Sequence, residues 1–537
     1  MSFLADPRNR HRIELAVLLG LLVLAALLRL PGLPTRGAWD SDQGHDMFVL
    51  RALVVDGTVP LVGPPASIGT FHHGAAYYYL LSPAAFLSGA DPLAITFEIA
   101  LFGIGTVAAA WWLARLVGGP VAAAIAGLLV AVSPSAIGES IYIWNPNVIP
   151  LLAAVAFAGT VLGCRSGHAR WWLLAGLATM LTMQAHLLGI VIVVPIAWAW
   201  LSTLRRTLRL GDRARGVILG GLGGLAIIAA GYLPLLVEEL GSGFTEVRAV
   251  LAYLAGSGAS GGLLARLPVV LIRALSWPFA GLVTDRPMIS LAVTGLVGVL
   301  LVVAVWGRRS GGAGEGRAAV DLPSARWLGG AVVWSIAVLA VAAPTLSTVT
   351  PGLPNDHYHA FLDPLVTVLT GVGLARIAGG LGTRGAAAVG GPGRPSRVPP
   401  AAAGVALAFL LLAEVLAWPP VVTPDGGWPG ADAAAAAVRS ATGGAPIALA
   451  GVPPFKPTDA LGFPLTRRGV SIVDPATGPA FEVVICDPLF DAVVGAPCGG
   501  PAEDAWLAAR GRPLRLVVQF SAGSRRWISI YAAAGSS

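Results

Sequence analysis

Residues 39–81 read WDSDQGHDMFVLRALVVDGTVPLVGPPASIGTFHHGAAYYYLL and lie between one long apolar run and a series of others. The stretch concentrates ionisable and aromatic side chains in a chain of which only 12% is charged, where soluble domains average about 25%. It includes four acids, a histidine pair and a tyrosine run: Asp40, Asp42, Asp46, Asp56, His72, His73, Tyr77, Tyr78 and Tyr79. Such a cluster beside an apolar run predicts a functional loop at the edge of a membrane.

The composition favours a polytopic α-helical membrane protein. Apolar residues make up 55% of the 537 positions, the mean hydropathy is +0.76, and apolar runs of roughly 20 residues recur along the chain. A soluble protein with this sequence would have to bury nearly every helix on all sides. The net charge of +7 comes from arginine clusters between apolar runs, so it indicates membrane topology and no nucleic-acid partner.

The apolar runs predict about eleven transmembrane helices, from Ile13–Leu30 to a last one ending at Trp418. The first follows a basic segment and has no small-residue cleavage site after it, so it is predicted to be retained. With the N-terminus in the cytoplasm, every strong arginine cluster between helices falls on the cytoplasmic side and the C-terminus lies outside. The lysine-poor, Ala/Gly/Arg-rich composition indicates a bacterial plasma membrane.

This topology gathers four polar segments on the outer face. They are residues 40–79, 139–147, 238–286 and 345–359. Three pieces of them are predicted to be interfacial helices on the bilayer surface: Met47–Asp56, Tyr77–Leu87 and Leu263–Leu275. The cytoplasmic links hold mostly arginine, so a catalytic site is expected on the outer face.

The chain is predicted to divide into residues 1–418, a membrane domain, and residues 419–537, a small extracytoplasmic α/β domain with its own core. A helix over Ala433–Ser440 and four strands are expected there. The strands are Ile447–Val452, Phe481–Cys486, Leu514–Phe520 and Trp527–Tyr531. Cys486 and Cys498 in this domain are equally compatible with a disulfide and with two buried thiols.

The polar loops resemble those of the C-type glycosyltransferases, and in particular the branch of the protein O-mannosyltransferases and aminoarabinose transferases. In that branch an Asp-Glu-Gly/Ala-Arg-Tyr pattern follows the first helix, with a later Arg and a Gly. Asp42, Gly44, Arg51 and Gly57 match this order, whereas Gln43 stands where a second acid is usual. The segments FHHGAAYYYLLSP (71–83) and DHYHAFLDP (356–364) resemble later family elements, and the resemblance covers about residues 13–380.

The resemblance implies transfer of a sugar from a polyprenyl-phosphate donor to a glycan, lipid or protein acceptor, with inversion at the anomeric carbon. Asp42 is the favoured base, Glu139 a second acid, and Asp40 or Asp46 could replace the missing carboxylate. The departing phosphate needs positive charge or donors, from Arg, His or a divalent cation such as Mg²⁺ or Mn²⁺. The candidates are His72, His73, Arg248, His357 and Tyr358.

Three other functional classes predict different features of the sequence. A transporter or flippase of lipid-linked glycans would place its charges at mid-membrane, whereas the acids here gather in loops. A polymerase or ligase of lipid-linked glycans would differ mainly in its donor. A structural or assembly protein leaves the acid-rich first loop unexplained. His186, at a helix end, is expected to be structural, and Tyr77–Tyr79 to be interface anchors.

Overall fold

The protein is predominantly helical and ends in a small α/β unit. The computed structural model describes residues 7–66, 71–210, 214–256, 262–307, 324–343, 346, 356–379, 398–452, 458–486, 500–522 and 526–533. Cys498 lies outside these residues, so its predicted partnership has no structural description. Cys486 is disulfide-bonded, and Cys164 is a buried thiol.

Long apolar helices alternate with short helices and two-stranded pairing in the connecting loops. The first part contains α1 (Pro7–Arg29), α2 (Leu33–Arg36), α3 (Ser41–Arg51), β1 (Val62–Pro65), β2 (His72–Gly74), α4 (Ala76–Ser88), α5 (Pro92–Gly118), α6 (Pro120–Val132), α7 (Pro134–Gly138), α8 (Ile149–Ser166) and α9 (Ala169–Ala185). The second contains α10 (Val193–Leu210), α11 (Ala214–Gly231), α12 (Leu233–Ser242), α13 (Thr245–Gly256), α14 (Leu263–Ala280), α15 (Pro287–Trp306), α16 (Ser324–Ala342), α17 (Asp363–Ala378) and α18 (Val398–Leu416).

The helix lengths confirm an integral multi-pass membrane protein. Within the described residues, 8 helices are long and apolar enough to cross a membrane, and two shorter apolar helices cover Pro120–Val132 and Pro400–Leu416. A membrane helix must satisfy all its backbone polar groups internally, which these segments do. The number of eleven crossings and the orientation of the termini stay predictions.

Helix α14 has the composition of a membrane span. The helix before it contacts β2, and its own C-terminal end contacts the segment before α7, and both of these segments are connecting loops. The preceding helix α13 contacts β2 through Glu246, whose carboxylate accepts from the His72 backbone at 2.6 Å. At the other end, the Pro278 carbonyl accepts from the Ser133 hydroxyl, just before α7, at 2.6 Å. Between these ends α14 packs on α15, α16 and α17, and Arg273 is buried. Its second half is therefore embedded in the protein, whereas residues 262–268 are mostly exposed, as an interfacial segment would be.

Small residues let the central helices approach closely. On α17, which is buried nearly throughout, a Cβ on Gly373 would lie 2.3 Å from the Leu300 carbonyl oxygen of α15. Between α9 and α11, a Cβ on Gly176 would lie 2.5 Å from the Cα of Gly224. Close backbone approach at small residues is a common basis of helix association in membranes.

The C-terminal part forms a four-stranded sheet of order β3-β4-β6-β5, covered by helices. Its elements are α19 (Gly427–Ala441), β3 (Ile447–Val452), α20 (Asp459–Arg467), β4 (Phe481–Cys486), α21 (Pro501–Ala508), β5 (Leu514–Ser521) and β6 (Trp527–Ala533). Strands β3 and β4 are parallel and joined through α20, whereas β6 is antiparallel to both β4 and β5. The predicted α/β class and all four predicted strand positions agree with this sheet.

Candidate active site

Helix α3 begins with a capping box that fixes the start of the polar first loop. The Asp40 backbone N–H donates to Gln43 Oε1 at 2.7 Å, and the Ser41 N–H donates to Asp40 Oδ1 at 2.7 Å. Gln43 also donates through Nε2 to the Ile143 carbonyl at 2.7 Å. An ionised carboxylate at position 43 could not make that donation, which explains the amide where the family resemblance leads one to expect an acid.

The C-terminal domain also contacts the N-terminus of α3. Trp39 donates its backbone N–H to Asp425 and its indole N–H to the Ala460 carbonyl, both at 2.8 Å. Arg526 donates to the Trp39 carbonyl and to Asp40, the latter at 3.0 Å. Asp40 is thus a helix cap in an ion pair, and it does not line the cavity described next.

Two acids one helical turn apart on α3, Asp42 and Asp46, face a cavity of about 320 Å³. Asp42 accepts from the indole N–H of Trp144 at 3.2 Å. Asp46 is only 1% exposed and accepts from the hydroxyls of Tyr77 at 3.0 Å and Tyr78 at 2.8 Å. Burial raises the pKa of Asp46 to about 7, against the effect of these hydrogen bonds. Asp42 and Asp46 therefore have different roles: one is presented to the cavity, and the other fixes α4 to α3.

The cavity has a polar end and an apolar end. The polar end is formed by Asp42, His45, Asp46, His73, Trp144, His186, His357 and Tyr358. The apolar end is formed by Phe71, Leu187, Ile190, Val250, Tyr253, Ala342 and Ala343. A neighbouring cavity of about 200 Å³, lined mainly by apolar residues, shares Phe71, His73, Leu187 and Val250 with it. Together the two cavities offer an ionic end next to an apolar extension.

Three histidine rings meet at the polar end. The ring centroids of His73 and His186 are 4.6 Å apart, and those of His186 and His357 are 5.7 Å apart. Nδ1 of His73 accepts from the Leu187 N–H at 3.3 Å, and Nδ1 of His186 accepts from the Leu188 N–H at 3.2 Å. Because Nδ1 is the acceptor in both neutral rings, the proton is on Nε2.

Burial keeps these two rings neutral. It lowers the pKa of His73 to about 4, with a further contribution from His72, and lowers the pKa of His186 well below its ordinary value. Each ring therefore offers one Nε2–H donor at neutral pH. His186 is expected to be structural, and its side chain does cap the short helix Leu187–Ile192; it also lines the cavity wall. The available sequence signal was a lone polar residue at a break between two apolar helices.

A buried ionic network positions the segment that carries His357 and Tyr358. Arg273 donates to both carboxylate oxygens of Asp356, at 2.9 and 2.7 Å, and His359 bridges Asp356 and Asp363 at 3.2 and 3.1 Å. Although burial opposes its ionisation, these hydrogen bonds lower the pKa of Asp356 to about 2. Burial likewise lowers the pKa of His359, yet the two carboxylates raise it to about 9 overall. Charge is thus balanced inside the network.

The other predicted site residues lie elsewhere. His72 is paired with Glu246, Nδ1 to Oε1 at 2.9 Å, and lines the smaller apolar cavity. Arg248 is exposed, and its side chain donates to the carbonyls of Gly243 and Phe244. Glu139 lines a separate cavity of about 340 Å³, and burial, then Asp363, raises its pKa well above the ordinary value. The structure therefore brings together Asp42, Asp46, His73, His357 and Tyr358.

Two tyrosines of α4 lie inside the protein. Tyr77 and Tyr78 are buried against Asp46, so the expectation that they anchor the protein at the membrane interface is wrong for these two.

Within the described part of the chain, no group of three or more His, Cys, Asp or Glu side chains has the arrangement of a metal site. A divalent cation at this site stays a prediction.

No family model and no curated protein matches the sequence. Solved structures do match. ArnT from Cupriavidus metallidurans in its apo state has a TM-score of 0.58 at 14% identity, covering 95% of this chain and 97% of ArnT. The same protein bound to undecaprenyl phosphate has a TM-score of 0.58 at 14% identity, covering 98% of each chain. Archaeal oligosaccharyltransferase AglB from Archaeoglobus fulgidus has a weaker likeness, with a TM-score of 0.47 at 14% identity, covering 98% of this chain and 75% of AglB.

The likeness to ArnT confirms the fold implied by the sequence resemblance. The chain has the fold of the aminoarabinose transferase ArnT, a C-type glycosyltransferase, over nearly its whole length. The match includes the C-terminal part, which the sequence resemblance did not cover.

Proposed function

We propose that this protein is a membrane glycosyltransferase that transfers a sugar from a polyprenyl-phosphate donor to an acceptor hydroxyl. The observation that carries the proposal is the cavity in which Asp42 faces neutral histidine donors beside an apolar extension. A polyprenyl-phosphate sugar has the same sequence of parts: a sugar, a charged phosphate and an apolar chain. The fold shared with ArnT, which has been solved with undecaprenyl phosphate, supports this choice of donor lipid.

Asp42 acts on the acceptor, and the histidines act on the departing phosphate. The acceptor oxygen attacks the anomeric carbon while its proton passes to the Asp42 carboxylate. The bond from the anomeric carbon to the phosphate oxygen breaks, and its electron pair stays on the phosphate. The Nε2–H groups of His73 and His186, with His357 and Tyr358 beside them, donate to the growing negative charge. Displacement from the opposite side inverts the configuration of the sugar.

Contacts between distant loops support the proposed topology. Arg526 of the C-terminal domain contacts Asp40 of the first loop, so both lie on one side of the membrane. An even number of crossings must then separate them, and the ten helices α5, α6, α8, α9, α10, α11, α15, α16, α17 and α18 meet that condition if α14 does not cross. With α1 the proposal has eleven crossings. The arginine clusters between the helices favour a cytoplasmic N-terminus and an outer active site, and the composition favours a bacterial plasma membrane. The division at residues 418 and 419 is part of the proposal.

Transfer from labelled polyprenyl-phosphate mannose, glucose and arabinose in membranes tests the function. Asp42→Asn should lower transfer by roughly 10²–10⁴-fold, the usual contribution of a general base. Asp474→Asn is the matched control, since Asp474 caps a short helix in the C-terminal domain and lines neither cavity. Undiminished transfer by Asp42→Asn would remove Asp42 as the base. Binding of undecaprenyl phosphate by both variants would show that each is folded.

A further inference from the structure

The cavity around Glu139 has no role in the donor chemistry, although it adjoins that site. Its volume is about 340 Å³, within the usual range for a small-molecule pocket. Trp144 and His357 line both this cavity and the first one, with their ring centroids 4.5 Å apart. These two rings form the partition between the cavities.

The partition connects the second cavity directly to the base. Trp144 lines the second cavity and donates its indole N–H to Asp42 at 3.2 Å. A hydroxyl that enters from this side past Trp144 arrives next to the Asp42 carboxylate. A donor in the first cavity lies on the other side of Trp144 and His357. Two substrates bound in the two cavities would therefore meet at these rings, next to Asp42.

The lining of the second cavity combines flat rings with hydroxyl-binding groups. Tyr142 and Trp144 are stacked, with centroids 5.8 Å apart and planes 27° apart, and Trp277 adds a third ring. Glu139, Asp285 and Arg36 supply acceptors and donors at the rim. Aromatic faces pack on the C–H faces of sugar rings, while carboxylates and guanidinium groups bind their hydroxyls.

The charge of the second cavity does not select an anionic acceptor. Asp285 offsets Arg36, and Glu139 adds little charge because burial raises its pKa, so no excess of positive charge favours a phosphorylated or otherwise anionic acceptor. The three rings also contrast with the mainly apolar cavity that adjoins the first one, which suits a lipid chain. We infer that the second cavity binds a neutral saccharide as the acceptor, through the faces of Trp144 and Trp277 and the carboxyl group of Glu139. The role as acceptor site rests on the proposed function; the binding of a saccharide does not.

Saturation-transfer NMR on the full chain in nanodiscs tests the inference. The probes are α-1,6-mannotriose, α-1,5-arabinotriose and cellotriose, with a Ser/Thr-rich hexapeptide as the other class of acceptor. At least one trisaccharide should bind, and Trp277→Leu should weaken that binding by about tenfold. Glu139→Gln, which keeps the shape of the side chain, should weaken it by about threefold or more. Trp306→Leu, an exposed tryptophan at the end of α15, should leave binding unchanged.

Several results would overturn the inference: no trisaccharide binds, binding is unaffected in both cavity variants, undecaprenyl phosphate displaces the saccharide, or only the hexapeptide binds. The two proposals fail separately. Asp42→Asn should bind the trisaccharide while losing transfer. Full transfer by Asp42→Asn would show that Asp42 is not the base. That result would not contradict the saccharide site.

Discussion

Arg526 is expected to hold the active-site helix although it lies in the last part of the chain. Its side chain is buried and donates to the Trp39 carbonyl and to Asp40, the N-cap of α3. Arg526→Ala removes both bonds and leaves a carbonyl and a half-buried carboxylate without these donors. The start of α3, which places Asp42, should then open more readily.

The size of the effect follows from the two bonds. A hydrogen bond that involves a charged group contributes about 1.5–3 kcal/mol, and the side chain of Asp40 is 27% exposed, which reduces its share. We therefore expect the opening free energy of the α3 N-terminus to fall by about 2–3 kcal/mol. At 1.4 kcal/mol per factor of ten, this corresponds to a roughly 30- to 150-fold faster amide exchange.

Hydrogen exchange measured by mass spectrometry on peptides covering residues 39–51 is the assay. Arg468→Ala is the control, because Arg468 forms a two-bond ion pair with Asp432 at 2.7 and 2.9 Å inside the same domain. That pair is about one-third exposed and does not contact α3, so its loss should cost about 1 kcal/mol or less and leave the exchange of α3 unchanged. If Arg526→Ala leaves the exchange of α3 at the wild-type rate, the domain does not position the helix.

Three further outcomes are expected. Because the pKa of Asp46 is raised to about 7 in the folded protein, the folded state keeps a proton that the unfolded state loses near pH 4. The free energy of unfolding should therefore fall by about 4 kcal/mol as pH rises from about 4 to 7. Asp46→Asn should abolish this slope in thermal unfolding followed across pH. The raised pKa of His359 contributes stability that is complete below pH 6.5 and lost as pH rises through about 9; His359→Gln should flatten the melting temperature in that interval, and an unchanged alkaline slope would count against the network. Gly44→Ala places a Cβ 2.1 Å from the Asp459 carbonyl oxygen and should destabilise the contact between α3 and α20 by about 1–3 kcal/mol, whereas Gly138→Ala, with open space around it, should be neutral in the same melts.

Local patterns in the sequence were sufficient for the class of fold. Apolar runs predicted the membrane helices, and alternating or β-branched stretches predicted the four strands of the C-terminal sheet. The cluster of acids after the first membrane helix predicted the site, and the resemblance to the C-type glycosyltransferases favoured Asp42 among them. The helices, the strands and the cluster depend on neighbours within a few residues or on the cost of burying charge.

The remaining features depend on contacts between distant residues. His186 faces the cavity only because His73 and His357 come from other loops to meet it. Gln43 replaces an acid because the carbonyl it binds belongs to Ile143. Tyr77 and Tyr78 are aromatic residues at a membrane edge, and only the folded chain shows that their hydroxyls bind Asp46. No periodicity or spacing reports such pairings.

The bond between Arg526 and Asp40 joins residues 486 positions apart and so imposes an order on biosynthesis. During translation the first loop is completed long before its partner, and it waits while all later helices are inserted. The start of the acid-bearing helix therefore gains its contacts with Arg526 only after the end of the chain has been delivered. A chain that terminates before Arg526 lacks these contacts and holds the start of α3 only by its local capping box.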